Sequence, residues 1–286
     1  MKTVICKPDL DTCLTALVLG VTKNDTIVCV CDHATADDLA DSAVCCIECG
    51  GSGDVALNNF DHHNPSLSLP PACRQAFDNC RDLQPGLVRL VDYVCLVDDP
   101  SPKRVCVGFP SLSNVFSGML MTIAQVETQF RCGMELLQKV LDDGDDPFSP
   151  MIARPEWYSY VTAKSENAKS VAELDIPGSI NFFSTVSGIK AGCLSLTGKH
   201  ANLIVGPGSL YEKGIEIAIV YSHAFGLPPI RKFTIASLNR QVSHLLPHIA
   251  RIESGWGGRA SIIGSPRNRN SHLSEKIIMD LVRDYA

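Results

Sequence analysis

The chain has 286 residues, which is enough for two domains of ordinary size. A hydrophobic content of 45% and a mean hydropathy of +0.09 predict packed cores and exclude an intrinsically disordered chain. Residues 1–185 carry 25 acidic against 13 basic side chains, and residues 186–286 carry 6 against 12. The first part therefore suits cations and the second suits phosphate, while the overall charge of −6 excludes broad binding to duplex nucleic acid.

The N-terminal half alternates short apolar runs with helix-like segments. Strands are predicted at 3–6, 26–31, 43–49 and 56–60, and helices at 12–21 and 34–40. This alternation predicts an α/β domain with a doubly wound parallel sheet, covered by helices on both faces. Ligands of such sheets collect beyond the carboxyl ends of the strands. Asp9, Glu48 and Asp61 each follow a predicted strand, so we expect them to converge in space.

The rest of the chain is predicted to be helical up to residue 142 and then to form a second domain. The charged segment 142–147 contains Gly and Pro and is expected to be a solvated turn that ends the first domain. A helix at 165–174 leads to strands at 215–221 and 231–238 and to helices at 242–252 and 273–285. We therefore expect a first domain at 1–148, a helical connector at 149–179 and a C-terminal domain at 180–286.

No apolar run reaches the roughly 18 residues that a membrane span needs, and the predicted first strand leaves no room for a signal peptide. We expect a cytoplasmic protein without a membrane partner. Most of the 13 cysteines lie within apolar runs, as expected for reduced thiols in a core. The alternative is a zinc or iron–sulfur site on Cys46 and Cys49, although no second pair with this spacing follows.

Four short motifs follow one another along the chain: Pro8-Asp9-Leu10-Asp11, Glu48-Cys49-Gly50-Gly51, Asp61-His62-His63 and Gly257-Gly258-Arg259-Ala260. In this order they resemble the motifs of the DHH phosphoesterase superfamily, which includes RecJ-type exonucleases, oligoribonucleases, cyclic dinucleotide phosphodiesterases and manganese pyrophosphatases. The resemblance spans most of the chain. It implies an N-terminal DHH domain, a smaller C-terminal α/β domain with a mixed sheet, and an active site in the cleft between them.

The resemblance also implies a set of ligands for one or two ions of Mn²⁺, or of Mg²⁺ or Co²⁺. Carboxylates and imidazoles are ligands that such ions accept. Asp9 would hold the first ion, and Glu48 would bridge the two. The second ion would be held by Asp11, His62 and Asp98.

Three features of this ligand set depart from the family pattern or leave alternatives open. Ile5 occupies the position of the family's early His, with Cys6 and Lys7 as the nearest polar residues, so a single ion or a degenerate site is the alternative to two ions. Glu48 replaces the usual Asp, and Asp54 is its rival. For the later Asp, Asp92 and Asp99 compete with Asp98, which is preferred because it directly follows the apolar run 95–97.

The residues implied on the substrate side combine an imidazole with glycines and arginines. Asp61 would orient an imidazole, and His63 would face the phosphate and act as a proton donor. Glycines let backbone N–H groups approach an anion, and an Arg in place of the family's His supplies a bidentate phosphate donor. The predicted phosphate-binding residues are His63, Gly257, Gly258, Arg259 and Arg267.

The chemistry implied is in-line attack on phosphorus by hydroxide, since a bound ion lowers the pKa of water toward ~7. The predicted function is a metal-dependent phosphoesterase acting on a phosphomonoester or phosphodiester of a small nucleotide or a short single-stranded oligonucleotide. A run of aromatic residues for stacking several bases is missing, which argues against a processive exonuclease. The alternatives are a polyphosphate or pyrophosphate hydrolase related to exopolyphosphatases, and a non-catalytic nucleotide-binding protein with a degenerate metal site.

Overall fold

The computed structural model describes the chain except for residues 32, 51, 65–66, 81–85, 99–106, 175 and 268. The chain divides into two compact units, Met1–Ser165 and Glu166–Ala286. This division falls inside the predicted connector at 149–179, and the domain boundaries at 148 and 180 stay a prediction. In the described part of the chain, no helix is both long enough and apolar enough to cross a membrane.

The first unit contains a four-stranded parallel sheet with the order β2-β1-β3-β4. Its strands are β1 (Lys2–Ile5), β2 (Thr26–Cys29), β3 (Val44–Ile47) and β4 (Asn59–Phe60). Successive side chains point to opposite faces of a strand, so Ile5 and Ile47 enter one hydrophobic core while Val4 and Cys46 enter another. The presence of packed cores on both faces confirms the predicted doubly wound α/β architecture.

Helices cover both faces of this sheet. The larger core is built from α1 (Leu10–Val18), α3 (Ala72–Asn79), α4 (Leu87–Asp98), α5 (Leu112–Thr122) and α6 (Val126–Asp142). The short α2 (Ala36–Ala40) lies on the other face, where Leu39 packs against the smaller core. All residues of α1 except Leu17 are buried, because this helix contacts β3, α3, α4 and α6. Its polar residues Asp11 and Thr12 therefore need partners inside the protein.

The second unit contains a mixed six-stranded sheet with the order β5-β6-β7-β8-β10-β9, in which only β6 and β7 are parallel. The strands are β5 (Ile180–Ser184), β6 (Lys190–Leu196), β7 (Ile217–Phe225), β8 (Ile230–Ser237), β9 (Gly257–Arg259) and β10 (Ile262–Gly264). The helices are α7 (Tyr158–Ala172), which runs through the division between the units, α8 (Ile176–Ser179), α9 (Gly208–Tyr211), α10 (Leu246–Ala250) and α11 (Glu275–Tyr285). This sheet confirms the mixed α/β character expected of the C-terminal part.

The helix predicted at 242–252 is wrong in its extent. The chain forms a 3₁₀ turn at Ser243–Leu245 and then the short helix α10. Pro247 explains the break, because its ring in the interior of a longer α-helix would clash with the Ser243 carbonyl and remove a hydrogen bond. In the first turn of a helix, by contrast, a proline is tolerated.

Candidate metal centre

The strand order reverses between β1 and β3, and the predicted metal ligands lie at this edge of the sheet. The chain leaves β1 for β2 on one side and returns for β3 on the other, so a crevice is expected beyond the carboxyl ends of β1 and β3. Asp9 is the N-cap of α1, shortly after β1. Glu48 directly follows β3, and Asp61 directly follows β4. The topology thus explains why motifs far apart in the sequence come together.

His62 lies at the middle of a group of carboxylates. Its Nε2 atom is 3.0 Å from Glu48 Oε1, 3.2 Å from Asp98 Oδ2 and 3.9 Å from Asp11 Oδ2. Among the described residues, two overlapping sets offer three ligand atoms within 4.8 Å of one another: Glu48, His62 and His63, and Asp11, His62 and Asp98. The structure therefore brings together four of the five predicted metal ligands.

Glu48 adopts a strained backbone conformation and has one unsatisfied oxygen. Its φ of 50° lies in the left-handed region, where a non-glycine residue costs on the order of 1–3 kcal/mol. Its amide still donates to the Phe60 carbonyl, so the chain turns directly after the β3–β4 pairing. Glu48 Oε2 accepts a hydrogen bond from Thr12 Oγ1 at 3.0 Å, whereas the buried Oε1 accepts none from the described residues. The nearby His62 Nε2 does not have hydrogen-bond geometry toward Glu48 Oε1. Among the described residues, this buried oxygen is left without a donor and therefore fits the role of a metal ligand.

Asp11 holds the first turn of α3. Its Oδ2 accepts a hydrogen bond from the Ala72 amide at 2.8 Å, and its Oδ1 accepts one from the Cys73 amide at 2.7 Å. Pro71, at the N-cap position of α3, provides no capping side chain, so Asp11 satisfies amides that the helix itself leaves open. Burial and then the Glu48 carboxylate raise the pKa of Asp11 well above its ordinary value. A cation bound nearby would reverse this effect, so the crowded carboxylates fit a divalent ion.

Asp11→Ala is expected to lower the free energy of unfolding of the metal-free protein by about 2–4 kcal/mol, because two helix amides would lose their acceptor. Urea denaturation in the presence of a chelator measures this effect without the metal contribution. The matched control is Thr35→Ala, which removes an exposed cap of α2 in the same unit and should cost about 1 kcal/mol or less. Equal losses in the two variants would contradict the capping role of Asp11.

Asp61 connects the glycine segment after β3 with the imidazole of His63. Asp61 Oδ2 accepts a hydrogen bond from the Gly50 amide at 3.0 Å, and Oδ1 accepts one from the His63 amide at 2.8 Å. His63 Nδ1 lies 2.9 Å from the same Oδ1. The Gln75 side chain donates to the Asp61 carbonyl at 2.9 Å and so anchors this turn to α3. A carboxylate in this position fixes the tautomer and orientation of an imidazole, which is the role predicted for Asp61.

Asp9, the predicted ligand of the first ion, contacts a backbone amide and a lysine side chain. Asp9 Oδ1 accepts the Thr12 amide at 3.0 Å, and Asp9 Oδ2 lies 2.9 Å from Lys7 Nζ. Burial opposes ionisation of Asp9, but the Lys7 ammonium and the Thr12 amide outweigh it and lower the pKa of Asp9. Ile5, which replaces the family's early His, is fully buried in the larger core. Asp9 belongs to neither set of three ligands in the described part of the chain.

The residues that the sequence left open as alternative metal ligands make other contacts or lie outside the described residues. Asp54 accepts the Ala56 amide and starts a 3₁₀ turn, which fits its role in a turn. Asp92 pairs with Arg74, and Asp99 lies outside the described residues. The Cys46 and Cys49 thiols donate to the carbonyls of Asp38 and Val4, and neither joins a set of three potential ligands among the residues described. The choice of Asp98 is therefore consistent with the geometry.

The two glycines of the C-terminal motif, in the second unit, differ from each other in the free space beside them. Gly258 in β9 has a φ of 146°, and a Cβ added there would lie 2.2 Å from the Ile262 carbonyl oxygen in β10. A Cβ added at Gly257 would have no atom within 4 Å. Gly258 is thus required by the β9–β10 pairing, whereas the space beside Gly257 is open. Arg259 and Arg267 are half-buried, and the phosphate-binding roles of these residues stay a prediction.

Some site residues were missed by the sequence predictions. Thr12 donates its amide to Asp9 and its hydroxyl to Glu48, so one residue joins two carboxylates. Gln75 was also missed, although its side chain holds the turn at Asp61. Both contacts depend on tertiary packing. The only signal in the sequence is that Thr12 is a polar residue in a mostly apolar helix and directly follows the first motif.

Two solved structures resemble the chain over nearly its whole length. The pGpG-specific phosphodiesterase PggH from Vibrio cholerae has a TM-score of 0.54 and 14% sequence identity, and the match covers 99% of this chain and 98% of that chain. A manganese-bound exonuclease RecJ has a TM-score of 0.51 and 12% identity, with 98% and 87% covered. No protein-family model and no curated protein matches the sequence. The chain therefore shares the fold of these two structures, and RecJ-type exonucleases belong to the group whose motifs its sequence resembles.

Proposed function

We propose that the protein is a metal-dependent phosphoesterase that hydrolyses a phosphomonoester or phosphodiester of a small nucleotide or a short oligonucleotide. The observation that carries this proposal is the convergence of Glu48, His62 and Asp98, with Asp11 beside them, on one partly buried point. The two similar structures are named a phosphodiesterase and an exonuclease, and the RecJ structure contains manganese. Both names support chemistry at a phosphorus atom in this fold.

Asp11, Glu48, His62 and Asp98 would hold a Mn²⁺, Mg²⁺ or Co²⁺ ion, which supplies hydroxide near neutral pH when it is bound. Thr12 holds one oxygen of Glu48, and this hydrogen bond leaves the other oxygen for the ion. The amides at the start of α3 fix both oxygens of Asp11 in place. The ligands are therefore oriented by the surrounding protein before an ion binds, which lowers the cost of binding.

The second imidazole is suited to contact the substrate. The side chain of His63 is 27% exposed, compared with 9% for His62. If Asp61 accepts a hydrogen bond from His63 Nδ1, then Nε2 is the nitrogen left to carry the transferable proton. His63 would hold this proton for the leaving oxygen of the ester.

Arg259→Ala is expected to lower kcat/KM by one to two orders of magnitude, because a charge-assisted hydrogen bond to phosphate is worth about 1.5–3 kcal/mol. Metal content and melting temperature should stay near those of the wild type. The control is Arg251→Ala, which removes an exposed arginine from the same unit and should leave kinetics unchanged. Full activity of Arg259→Ala on every accepted substrate would refute the phosphate-binding role.

The substrate class is tested by measuring phosphate release and product formation in Mn²⁺ from mononucleotides, linear dinucleotides, short oligonucleotides, pyrophosphate and polyphosphate. Preference for a nucleotide supports the proposal. A preference for pyrophosphate or polyphosphate would instead support the related phosphoanhydride hydrolase, which recognises phosphate groups alone. Tight nucleotide binding without turnover would identify a non-catalytic nucleotide-binding protein and would overturn the proposed activity.

A further inference from the structure

The carboxylate that the family resemblance assigns to the first ion already has a cationic partner. Lys7 Nζ lies 2.9 Å from Asp9 Oδ2, and the other oxygen of Asp9 accepts the Thr12 amide. Thr12 also donates its hydroxyl to Glu48 at 3.0 Å. Thus the Lys7–Asp9 pair is connected through a single residue to Glu48, one of the carboxylates of the candidate metal centre.

In the described part of the chain, the other donors that the resemblance implies for a first ion are replaced or engaged. Ile5 stands where the resemblance requires an imidazole, and it is fully buried in a hydrophobic core. The neighbouring Cys6 thiol donates to the Cys31 carbonyl at 3.4 Å. Asp9 is absent from both sets of three potential ligands found among the described residues. Of the residues with described positions, a first ion would therefore have Asp9 and a shared Glu48 as ligands, which is too few to hold it firmly.

We propose that the Lys7 ammonium takes the place of the first metal ion, so that the site uses one divalent ion together with one fixed side-chain cation. This inference rests on the proposed function and names the cation that contacts the substrate's phosphate beside the ion. Asp9 then acts as a positioning residue, because it holds the ammonium rather than a metal. Asp11, Glu48, His62 and Asp98 would hold the one divalent ion, which would supply the activated water.

The geometry and charge of Lys7 suit this role. An ammonium has three N–H donors, and the Lys7 side chain is 54% exposed, so a phosphate can reach it while Asp9 keeps its contact. A divalent ion at Asp9 would lie next to the ammonium, and the repulsion between the two positive charges would weaken its binding. The Lys7 ammonium thus provides a positive charge beside Asp9, and its repulsion also disfavours the binding of a second metal ion there.

The metal stoichiometry tests the proposal independently of activity. Titration calorimetry with Mn²⁺ is expected to show one tight ion per chain, and electron paramagnetic resonance of the loaded protein should show uncoupled Mn²⁺. Two tight ions with a spin-coupled spectrum would overturn the proposal. This measurement decides whether a second ion binds beside Lys7 even if no substrate is turned over, so its failure is distinguishable from failure of the proposed function.

Variants of Lys7 test the phosphate contact. With Mn²⁺ present, Lys7→Met should weaken binding of inorganic phosphate and pyrophosphate about tenfold or more, because a charged donor is lost. Lys7→Arg should recover most of this affinity, and the tight Mn²⁺ site should keep its affinity in both variants. Lys23→Met, which removes an exposed lysine from the same unit, is the matched control. Unchanged phosphate binding in Lys7→Met, or an equal loss in Lys23→Met, would refute the proposal.

Discussion

His62→Ala is expected to remove most of the bound metal and to lower kcat/KM by about a thousandfold or more, because the proposed ion would generate the nucleophile. His62 Nε2 lies within 3.2 Å of both Glu48 and Asp98, so the substitution removes a nitrogen ligand that lies close to both carboxylates. Replacement of a residue that merely orients a ligand costs 10- to 100-fold, and loss of the ligand itself should cost more. Equilibrium dialysis followed by metal analysis measures the first effect, and steady-state kinetics measures the second.

The same substitution at the adjacent His63 tests whether the two imidazoles have different roles. His63 also belongs to a set of three potential ligands, so the structure permits it to bind the ion as well as the substrate. If His63 holds the proton for the leaving oxygen, His63→Ala should keep its metal while losing activity. His33→Ala, an exposed imidazole in the same unit, should keep both. Wild-type metal content in His62→Ala would refute the assignment of His62 as a ligand, and loss of metal in His63→Ala would identify His63 as a ligand too.

The position of the candidate metal centre was predictable because parallel strands have a common carboxyl edge. Asp9, Glu48 and Asp61 all follow strands, so their convergence follows from the alternation of strands and helices alone. Asp98 was preferred because it directly follows the apolar run 95–97, and it is the last residue of α4 in the structure. Asp92 lies six residues earlier, which places it on a different face of the helix, where it pairs with Arg74.

The contacts that support the ligands were not predictable, because each joins distant parts of the chain. Asp11 caps a helix that starts about 60 residues later, and Thr12 reaches Glu48 across 36 residues. Hydrogen bonds of this kind depend on how α1 packs between the sheet and α3. The strands β5 and β6 were missed for a local reason. Gly192 interrupts the apolar pattern of β6, although it lets the Ile215 side chain approach, since a Cβ there would lie 2.5 Å from Ile215 Cδ1.

Substitution by alanine is expected to affect the free energy of unfolding differently at the two motif glycines, Gly257 and Gly258. A Cβ at Gly258 would lie 2.2 Å from the Ile262 carbonyl oxygen and 2.7 Å from Ile263 Cα. Both are backbone atoms of β10, so relief of the clash would separate β9 from β10. The φ of 146° adds strain of about 1–3 kcal/mol for any residue with a side chain. At Gly257, by contrast, the added methyl group would have no neighbour within 4 Å.

Gly258→Ala is therefore expected to lower the free energy of unfolding of the second unit by about 3 kcal/mol or more, whereas Gly257→Ala should change it by less than about 1 kcal/mol. Urea denaturation in a Trp157→Phe background measures this difference, because Trp256 is then the only tryptophan and lies in the second unit. If phosphate approaches the open backbone at Gly257, Gly257→Ala should raise KM while the unit stays stable. Equal stability of the two variants would refute the structural requirement at Gly258, and an unchanged KM in Gly257→Ala would exclude close approach of phosphate there.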